Sequence, residues 1–372
     1  MTAHRAAFGI DWPVCVKRRG WLASDIDREN VSYTLGPEQL AAFRELVSRH
    51  TVARTPYTAI SREQFRHPAL DFFFARMVEA LKWGKGLVFL RGLPVDSYSL
   101  NEMRLIYWGI GTHFGTALSQ KKYSGEVMLD LSSKQEVSRG FSGRHELELH
   151  TDYTEIGALL CLQQASAGGI NIYASSLMLW DIVEREHPEL IPILRRGFRV
   201  WRLNEHNPGD DPITRHQVPA FGEARQVRSV YNTWRTAEAV GEYIGQPLSD
   251  LEKSAISTVY EILARKELHF RAGLSPGEAV FFSNFDVLHA RTAFNDEPNH
   301  PRHLLRLWLQ GTPARPLPEE MRIHNNGSGR LGYDHNPDRT AEEAVSARDN
   351  PVTSFMRDYF DDFFKGRQSR FQ

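Results

Sequence analysis

The chain has 372 residues, of which 41% are hydrophobic and 24% are charged, as is typical of a globular protein with a buried core. Its formal net charge of −1 argues against a surface built for nucleic acid or for an anionic membrane. Two cysteines are too few for a disulfide framework, and no window reaches the roughly 20 apolar residues of a membrane span. We therefore expect a cytoplasmic protein without a nucleic-acid or membrane partner, and the composition leaves a homo-oligomer open.

Helices are predicted mainly in the first part of the chain. After Pro37, apolar side chains recur at helical spacing, and a second such stretch covers Pro68–Trp83. Ser99 is a suitable N-cap, because Glu102 follows three residues later as in a capping box. This pattern predicts a third helix, which extends to about Gly111.

Short apolar runs bounded by glycine and proline predict buried strands farther along the chain. The run GLVFLRGLP, at 86–94, comes directly after the second helix. The runs ALLCLQQA (158–165) and INIYAS (170–175) flank a Gly-Gly pair, and this arrangement predicts a hairpin of two strands. The run RHLLRLWLQG (302–311) is expected to be the last core strand.

The distribution of these elements indicates the fold class. Many short strands, with helices concentrated early and in one insertion, favour a β-sandwich or barrel with helical additions. No regular alternation of strand and helix runs through the sequence, and this disfavours a doubly wound sheet. We therefore expect a mainly β fold with helical insertions, of the α+β class.

The segment LHTDY, Leu149–Tyr153, places a histidine and a carboxylate two residues apart. Residues two apart in a strand point to the same face, so His150 and Asp152 could converge on one ion. Two histidines and one carboxylate form the facial triad of non-heme Fe(II) oxygenases, which leaves the other side of the ion open. Because the chain has 15 histidines, such a pair also arises by chance at a surface, and the pair alone leaves both interpretations open.

The region around His289 favours the metal-site interpretation of the pair. His289 follows the apolar run AVFFSNFDVL, and Arg302 and Arg306 share one face of the last predicted strand. Two arginines on a buried face need anionic partners, and a bound dicarboxylate suits the bidentate fork of a guanidinium. An ion pair with a carboxylate of the protein itself is the structural alternative.

Taken in order, these motifs resemble the TauD/TfdA family of Fe(II)/2-oxoglutarate-dependent dioxygenases. The resemblance rests on HTD near the middle of the chain, the Gly-Gly pair that follows, VLHARTAF and RHLLRLWL, and it covers about Gly86–Leu309. It implies a double-stranded β-helix, the jelly roll of cupin-like proteins, at about 86–311 of a single domain that spans 1–372. Residues 1–85 would be a helical or irregular extension, and residues 312–372 would be a tail.

The resemblance also implies the metal ligands and the reaction. His150, Asp152 and His289 would hold Fe(II), and Arg302 would bind the distal carboxylate of 2-oxoglutarate. O2 and 2-oxoglutarate would be consumed, with formation of succinate and CO2, while a C–H bond of the substrate is hydroxylated or desaturated. The carboxylate of Asp152 favours these outcomes over halogenation, because halogenases of this type lack it.

One position departs from the family pattern. Members usually have Thr or Ser just after the Gly-Gly pair, where they help to bind 2-oxoglutarate. This chain has Asn171 in that region, with Ser176 close behind. Both are candidates for the cosubstrate contact, and an asparagine can still donate a hydrogen bond through its amide.

Candidate substrate residues come partly from the family and partly from position. Arg306 matches the arginine with which some members contact an anionic group of the substrate. Tyr153, Asn284 and Glu146 are further candidates for the cavity wall, each weighed against ordinary packing or hydrogen bonding. The expected substrate is a small molecule of anionic or amino-acid-like character.

Two other functions stay open at this point. A cupin-like metallo-dioxygenase that needs no 2-oxoglutarate would use the same metal ligands without Arg302. A non-catalytic binding module would keep His150 and Asp152 as structural residues. Iron content and succinate formation distinguish both alternatives from the oxygenase.

Overall fold

The computed structural model describes residues 19–120, 126–132, 144–203, 211–297, 299–323, 351–356 and 359. The α-helices are α1 (Pro37–Val52), α2 (Pro68–Trp83), α3 (Leu100–Phe114), α4 (Ser176–Glu186), α5 (Ile191–Arg196), α6 (Trp234–Tyr243) and α7 (Asp250–Leu263). The strands are β1 (Ser32–Thr34), β2 (Leu87–Arg91), β3 (Gly115–Ala117), β4 (Met128–Ser132), β5 (Leu147–His150), β6 (Ile156–Gln163), β7 (Ala167–Gly168), β8 (Asn171–Ser175), β9 (Phe221–Ala224), β10 (Val227–Val230), β11 (Phe270–Ala272), β12 (Ala279–Ser283), β13 (Val287–Arg291), β14 (Phe294–Asn295) and β15 (His303–Gly311).

The first three helices form where the sequence predicts them. Helix α2 has the predicted bounds, with proline at its first position, where the missing N–H costs no helical hydrogen bond. Helix α3 begins with the predicted capping box, in which the Ser99 amide donates to the Glu102 carboxylate at 2.8 Å. It ends at Phe114, slightly beyond the predicted end at Gly111, and helix α6 was not predicted.

Two sheets face each other at the centre of the molecule. The larger has seven strands in the order β1-β2-β12-β6-β15-β3, with β4 also paired to β15, and the smaller has four in the order β11-β8-β13-β5. Phe89, Phe282 and Leu304 of the larger sheet pack in one buried cluster with Tyr173 and Val287 of the smaller. Burial of these side chains between the sheets stabilises the pair. The expected mixture of helices and sheets is confirmed.

Helices cover the outer face of each sheet. Helices α1 to α3 pack on the larger sheet, and α4, α5 and α7 pack on the smaller one. The alternation along β15 follows from this layering: Leu305 and Leu307 point to the helices, whereas Leu304 and Arg306 point to a cavity between the sheets. The strand predicted at 302–311 is thereby confirmed, with its arginine face directed inwards.

The predicted hairpin of β6 and β8 was wrong. Strand β6 pairs with β12 and β15 in the larger sheet, whereas β8 pairs with β11 and β13 in the smaller. Gly168 and Gly169 lie between them at φ 76° and 67°, a left-handed conformation that glycine adopts without strain. The Gly-Gly pair therefore carries the chain from one sheet to the other, and apolar runs alone did not reveal which strands pair.

Within the described ranges, no helix is long and apolar enough to cross a membrane. Much of the tail predicted at 312–372 lies outside the described residues. Where it is described, Phe355 packs against Tyr243 of α6, with ring centroids 5.3 Å apart.

Candidate metal centre

The three predicted metal ligands come together between the sheets. His150 is the last residue of β5 and stands opposite His289 of β13 in the antiparallel ladder. Asp152 follows β5 in a loop, rather than in the extended strand that the spacing predicts. The Asn284 side chain holds this loop, because its amide accepts from the Asp152 N–H at 2.8 Å and donates to the Asp152 carbonyl at 2.7 Å.

Their geometry suits one metal ion. The ligand atoms of His150, Asp152 and His289 all lie within 4.8 Å of one another. His150 Nε2 is 3.8 Å from Asp152 Oδ1, and His289 Nε2 is 3.5 Å from Asp152 Oδ2. The two imidazole rings have centroids 4.2 Å apart. Two imidazoles and a carboxylate at this separation form the donor set of a facial triad.

Hydrogen bonding prepares His150 as a ligand. Its Nδ1 lies 2.7 Å from the Glu148 carbonyl oxygen, which can only accept, so Nδ1 carries the proton and Nε2 presents a lone pair. Burial and the neighbouring His289 lower the pKa of His150 to about 3, and the imidazole is therefore neutral at physiological pH. Metal ions bind this neutral form.

The Asp152 carboxylate lies among donors and cationic groups. Burial would raise the pKa of Asp152, but the contact with His289 and the charge of Arg306 outweigh it and hold the pKa below its usual range. The Trp308 indole N–H donates to Asp152 Oδ2 at 3.0 Å, and an Arg306 nitrogen lies 4.0 Å from the same oxygen. The carboxylate is therefore ionised, as a metal ligand must be.

Arg302 is buried beside this centre and has no ion-pair partner among the described residues. Its guanidinium lies over the Phe294 ring at 5.2 Å, and its Nε has no hydrogen-bond partner in the described part of the chain. Burial lowers the pKa of Arg302, because a charged group loses hydration there. A buried cation in this state is a site for an anion.

A cavity between the sheets connects Arg302 with the predicted metal ligands. Besides these residues, its walls include apolar side chains from both sheets together with Asn171, Arg291 and Arg306. Arg291 donates to the His145 carbonyl just before β5, and burial lowers its pKa to about 10. The arrangement places three guanidinium groups and three potential metal-binding groups around one space.

Arg306 is held in place by contacts with Gln120 and Trp308. Its Nε donates to Gln120 Oε1 at 2.6 Å, and its guanidinium lies over the Trp308 ring at 4.7 Å. The Gln120 amide nitrogen donates in turn to the Arg306 carbonyl at 2.9 Å. This fixed geometry keeps the guanidinium close to Asp152 and on the wall of the cavity.

The other predicted site residues lie at varying distances from this space. Asn171 lines the cavity, but Tyr153, Asn284, Ser176 and Glu146 are not among the described residues that line it. Asn284 is fully buried in the bonds that hold the Asp152 loop, and the Ser176 hydroxyl donates to the Phe285 carbonyl at 2.9 Å. Tyr153 packs edge-on against Tyr231, with centroids 5.8 Å apart. Their roles toward substrate or cosubstrate stay predictions.

Two residues contact the predicted site residues in a way that the sequence did not predict. Trp308 and Gln120 are both almost completely buried, and they contact Asp152 and Arg306 respectively. The sequence separations are 156 and 186 residues, so no local motif could connect them. For Trp308 the only available indication was its position two residues after Arg306, which puts both on one face of the strand.

Comparison with known proteins gives a family. The model of the taurine catabolism dioxygenase TauD, TfdA family matches residues 53–308. FR-33289 synthase of Streptomyces rubellomurinus is 31% identical over 264 residues, which cover 68% of this chain and 77% of that protein. The taurine hydroxylase-like protein SAT17 of Stachybotrys chartarum is 26% identical over 265 residues, which cover 67% of each chain.

Solved structures share the fold at lower identity. Asparagine oxygenase in complex with Fe(II), 2S,3S-3-hydroxyasparagine and succinate has a TM-score of 0.57 and 16% identity, over 75% of this chain and 93% of that chain. The non-heme iron oxygenase OrfP in complex with Fe and α-ketoglutaric acid has a TM-score of 0.54 and 13% identity, with the same coverage. At these identities the likeness concerns the fold alone.

Proposed function

Because the chain belongs to the TauD, TfdA family of taurine catabolism dioxygenases, we propose that it oxidises a C–H bond of a small molecule with Fe(II), O2 and 2-oxoglutarate. 2-Oxoglutarate is converted to succinate and CO2, and the substrate is hydroxylated or desaturated. The observation that carries this proposal is one cavity with two kinds of site on its wall. The proposed metal ligands His150, Asp152 and His289 lie there together with Arg302, a buried cation with which no described residue forms an ion pair.

The residues present fit an iron ion. Two imidazole nitrogens and one carboxylate are the donor set that non-heme Fe(II) takes, and the open side of such a site admits further ligands. His289 Nδ1 is buried without a hydrogen-bond partner among the described residues, so the ring is oriented by packing against Phe282 at 4.5 Å. When bound, the iron supplies the oxidising chemistry toward O2 and the C–H bond.

The chain's own residues bind and orient the reactants. Arg302 binds the distal carboxylate of 2-oxoglutarate through a bidentate contact, because its guanidinium is buried, cationic and directed into the cavity. Asn171 stands opposite Arg291 in the ladder of β8 and β13 and donates to the same cosubstrate through its amide. Leu159, Leu304 and Phe282 on the walls exclude water from the reacting groups.

The finer architecture is part of the proposal. Strands β4, β15, β6 and β12 stand in that order in the larger sheet, and β5, β13, β8 and β11 stand in that order in the smaller sheet. Among these eight strands, those that follow one another in sequence alternate between the facing sheets, except β8 and β11, which pair with each other in the smaller sheet. This is the strand arrangement of a double-stranded β-helix. We assign this jelly roll to about 86–311 of a single domain spanning 1–372.

The proposed substrate is a small anionic or amino-acid-like molecule. Arg306, on the cavity wall close to Asp152, is the cationic group that supports this choice. Two solved structures of similar fold hold hydroxylated amino acids, 3-hydroxyasparagine in asparagine oxygenase and (3S)-hydroxy-L-Arg in OrfP. Tyr153, Glu146 and Asn284 stay secondary candidates for substrate contact.

The test is a screen of amino acids and small organic acids with Fe(II), O2 and 2-oxoglutarate, in which succinate and product mass are measured together. The proposal predicts succinate that depends on one class of substrate, with a product that gains one oxygen or loses two hydrogens. His289→Ala should abolish succinate, whereas His269→Ala, which removes a histidine bonded to the Leu263 carbonyl, should not. Substrate oxidation without succinate would instead support a 2-oxoglutarate-independent dioxygenase.

A further inference from the structure

Trp308 is a buried side chain that donates directly to the carboxylate of a predicted metal ligand. Its indole N–H is 3.0 Å from Asp152 Oδ2, and the exposed fractions of the two residues are 3% and 6%. Indole nitrogen is a donor only and cannot bind a metal. We propose that Trp308 is a positioning residue, which fixes the rotation of the Asp152 carboxylate for metal binding. This inference rests on the proposed function.

The physical need for such a residue lies in the Asp152 side chain. Rotation of a carboxylate about its terminal bond has a broad, two-fold profile, so the side chain alone does not define where its oxygens point. The donor on Oδ2 sets that rotation and leaves Oδ1 directed toward His150 Nε2, at 3.8 Å. Hydrogen bonds of this kind to ligating carboxylates typically account for 10- to 100-fold in metal affinity.

The indole itself is held in place by its surroundings. The Trp308 backbone pairs with Gly157 in β6, and its carbonyl accepts from the Leu118 N–H at 2.8 Å. Its ring packs in a buried cluster with Leu118 and Phe285, while the Arg306 guanidinium lies over it at 4.7 Å. The donor therefore approaches Asp152 from a rigid strand, and the position is defined before any metal binds.

The experiment separates the donor from the bulk of the side chain. Trp308→Phe keeps an aromatic ring but removes the donor. Trp180→Phe is the matched control, since Trp180 is fully buried and donates to the Glu184 carboxylate at 2.7 Å in a separate cluster.

Each variant is titrated with Co(II) alone, and its unfolding is measured in urea. The inference predicts that Trp308→Phe binds Co(II) about 10- to 100-fold more weakly than the wild type. Trp180→Phe should lose stability without a change in Co(II) affinity. Co(II) affinity within about twofold of the wild type in Trp308→Phe, or affinity that simply follows stability across the variants, would overturn the inference.

The same titration distinguishes this failure from failure of the proposed function. If the wild type binds no stoichiometric Co(II), the metal centre itself is wrong. If the wild type binds Co(II) and Trp308→Phe binds it equally well, only the role of Trp308 is wrong.

Discussion

Two buried arginines of this molecule differ in their partners. Arg315 is 1% exposed, and its guanidinium contacts both oxygens of Asp286, at 2.6 and 2.9 Å, as well as Ser229 Oγ and the Arg228 carbonyl. Arg302 is 5% exposed, and no described residue forms an ion pair with it. Burial removes water from both guanidinium groups, which is unfavourable for a cation. Only for Arg315 do described residues of the protein offset this loss of hydration.

The difference teaches how a buried charge can be assigned to structure or to binding. A charge with all its partners inside the protein contributes to the folded state and needs no ligand. A charge that lacks them lowers stability unless an external anion binds, and Arg302 faces the cavity that holds the metal ligands. Substitutions at the two positions should therefore have opposite consequences for stability and for ligand binding.

The largest expected effect is on stability at Arg315. Arg315→Met leaves the Asp286 carboxylate buried without a cation, so the free energy of unfolding should fall by about 3–5 kcal/mol in urea titrations. The double variant Arg315→Met/Asp286→Asn should recover part of that loss, because it removes both charges. Arg302→Met should match the wild type in stability or exceed it. Equal destabilisation by both single variants would contradict the comparison.

The second effect concerns binding of 2-oxoglutarate. Truncation of one partner of a buried charge pair typically costs 2–5 kcal/mol, so Arg302→Met should raise the Kd for 2-oxoglutarate by about 30-fold or more. Calorimetric titration of the metal-loaded protein measures this Kd. The Kd of Arg302→Lys should lie between those of the wild type and Arg302→Met, because lysine keeps the charge but loses the bidentate fork. An unchanged Kd in Arg302→Met would remove Arg302 from the site.

His113 is a buried base in which one ring nitrogen has a hydrogen-bond partner among the described residues and the other has none. Its Nε2 is 3.3 Å from the Phe65 carbonyl oxygen, Nδ1 has no partner among the described residues, and burial lowers its pKa to about 4. The unfolded chain takes up a proton near pH 6.5, whereas the folded protein does so only near pH 4. Stability should therefore fall as pH decreases through this window, by up to about 3 kcal/mol from this group.

The variant His113→Gln isolates that contribution, since glutamine can still donate to the Phe65 carbonyl. The difference in free energy of unfolding between the variant and the wild type, measured in urea from pH 7 to pH 4, should change in favour of the variant as the pH decreases. A pH-independent difference would show that His113 titrates alike in the folded and unfolded states.

The smallest effect is expected at Gly169, which lies against Arg302. A Cβ at this position would be 3.2 Å from Arg302 Nε, and the residue has φ 67°. Gly169→Ala should lower the free energy of unfolding by about 1–2 kcal/mol, because alanine is strained at this positive φ. It should also weaken the binding of 2-oxoglutarate several-fold, because the added carbon displaces the Arg302 guanidinium. Gly245→Ala is the control, with φ 66° and nothing within 4 Å of the added carbon. Both should lose stability alike, and only Gly169→Ala should affect Kd.

Several parts of this account could be predicted from the sequence for local physical reasons. The bounds of α2 follow from a first-turn proline and a regular apolar spacing, and the arginine face of β15 follows from the two-residue period. These patterns involve residues that are close in sequence, so they can be recognised before the fold is known. The ordered motifs also brought His150, Asp152 and His289 into one hypothesis, and the structure brings their ligand atoms within 4.8 Å.

Other parts depend on partners that are distant in sequence. Strand β6 pairs with β12 and β15 instead of β8, and both partners come from much later in the sequence. Asp152 was expected in a strand, but Asn284, 132 residues away, holds it in a loop. The contact of Trp308 with Asp152 also could not be predicted from the sequence, since a single apolar residue in a strand is compatible with ordinary packing.

The measurement that tests the central claim most directly is anaerobic addition of Fe(II) and 2-oxoglutarate, followed by visible absorption. If His150, Asp152 and His289 hold Fe(II) and Arg302 binds the cosubstrate, the wild type should give the weak metal-to-ligand charge-transfer band of this enzyme class at one equivalent of each. His289→Ala should give no band, and Arg302→Met should need a much higher concentration of 2-oxoglutarate. A well-folded wild-type protein without the band would contradict the account.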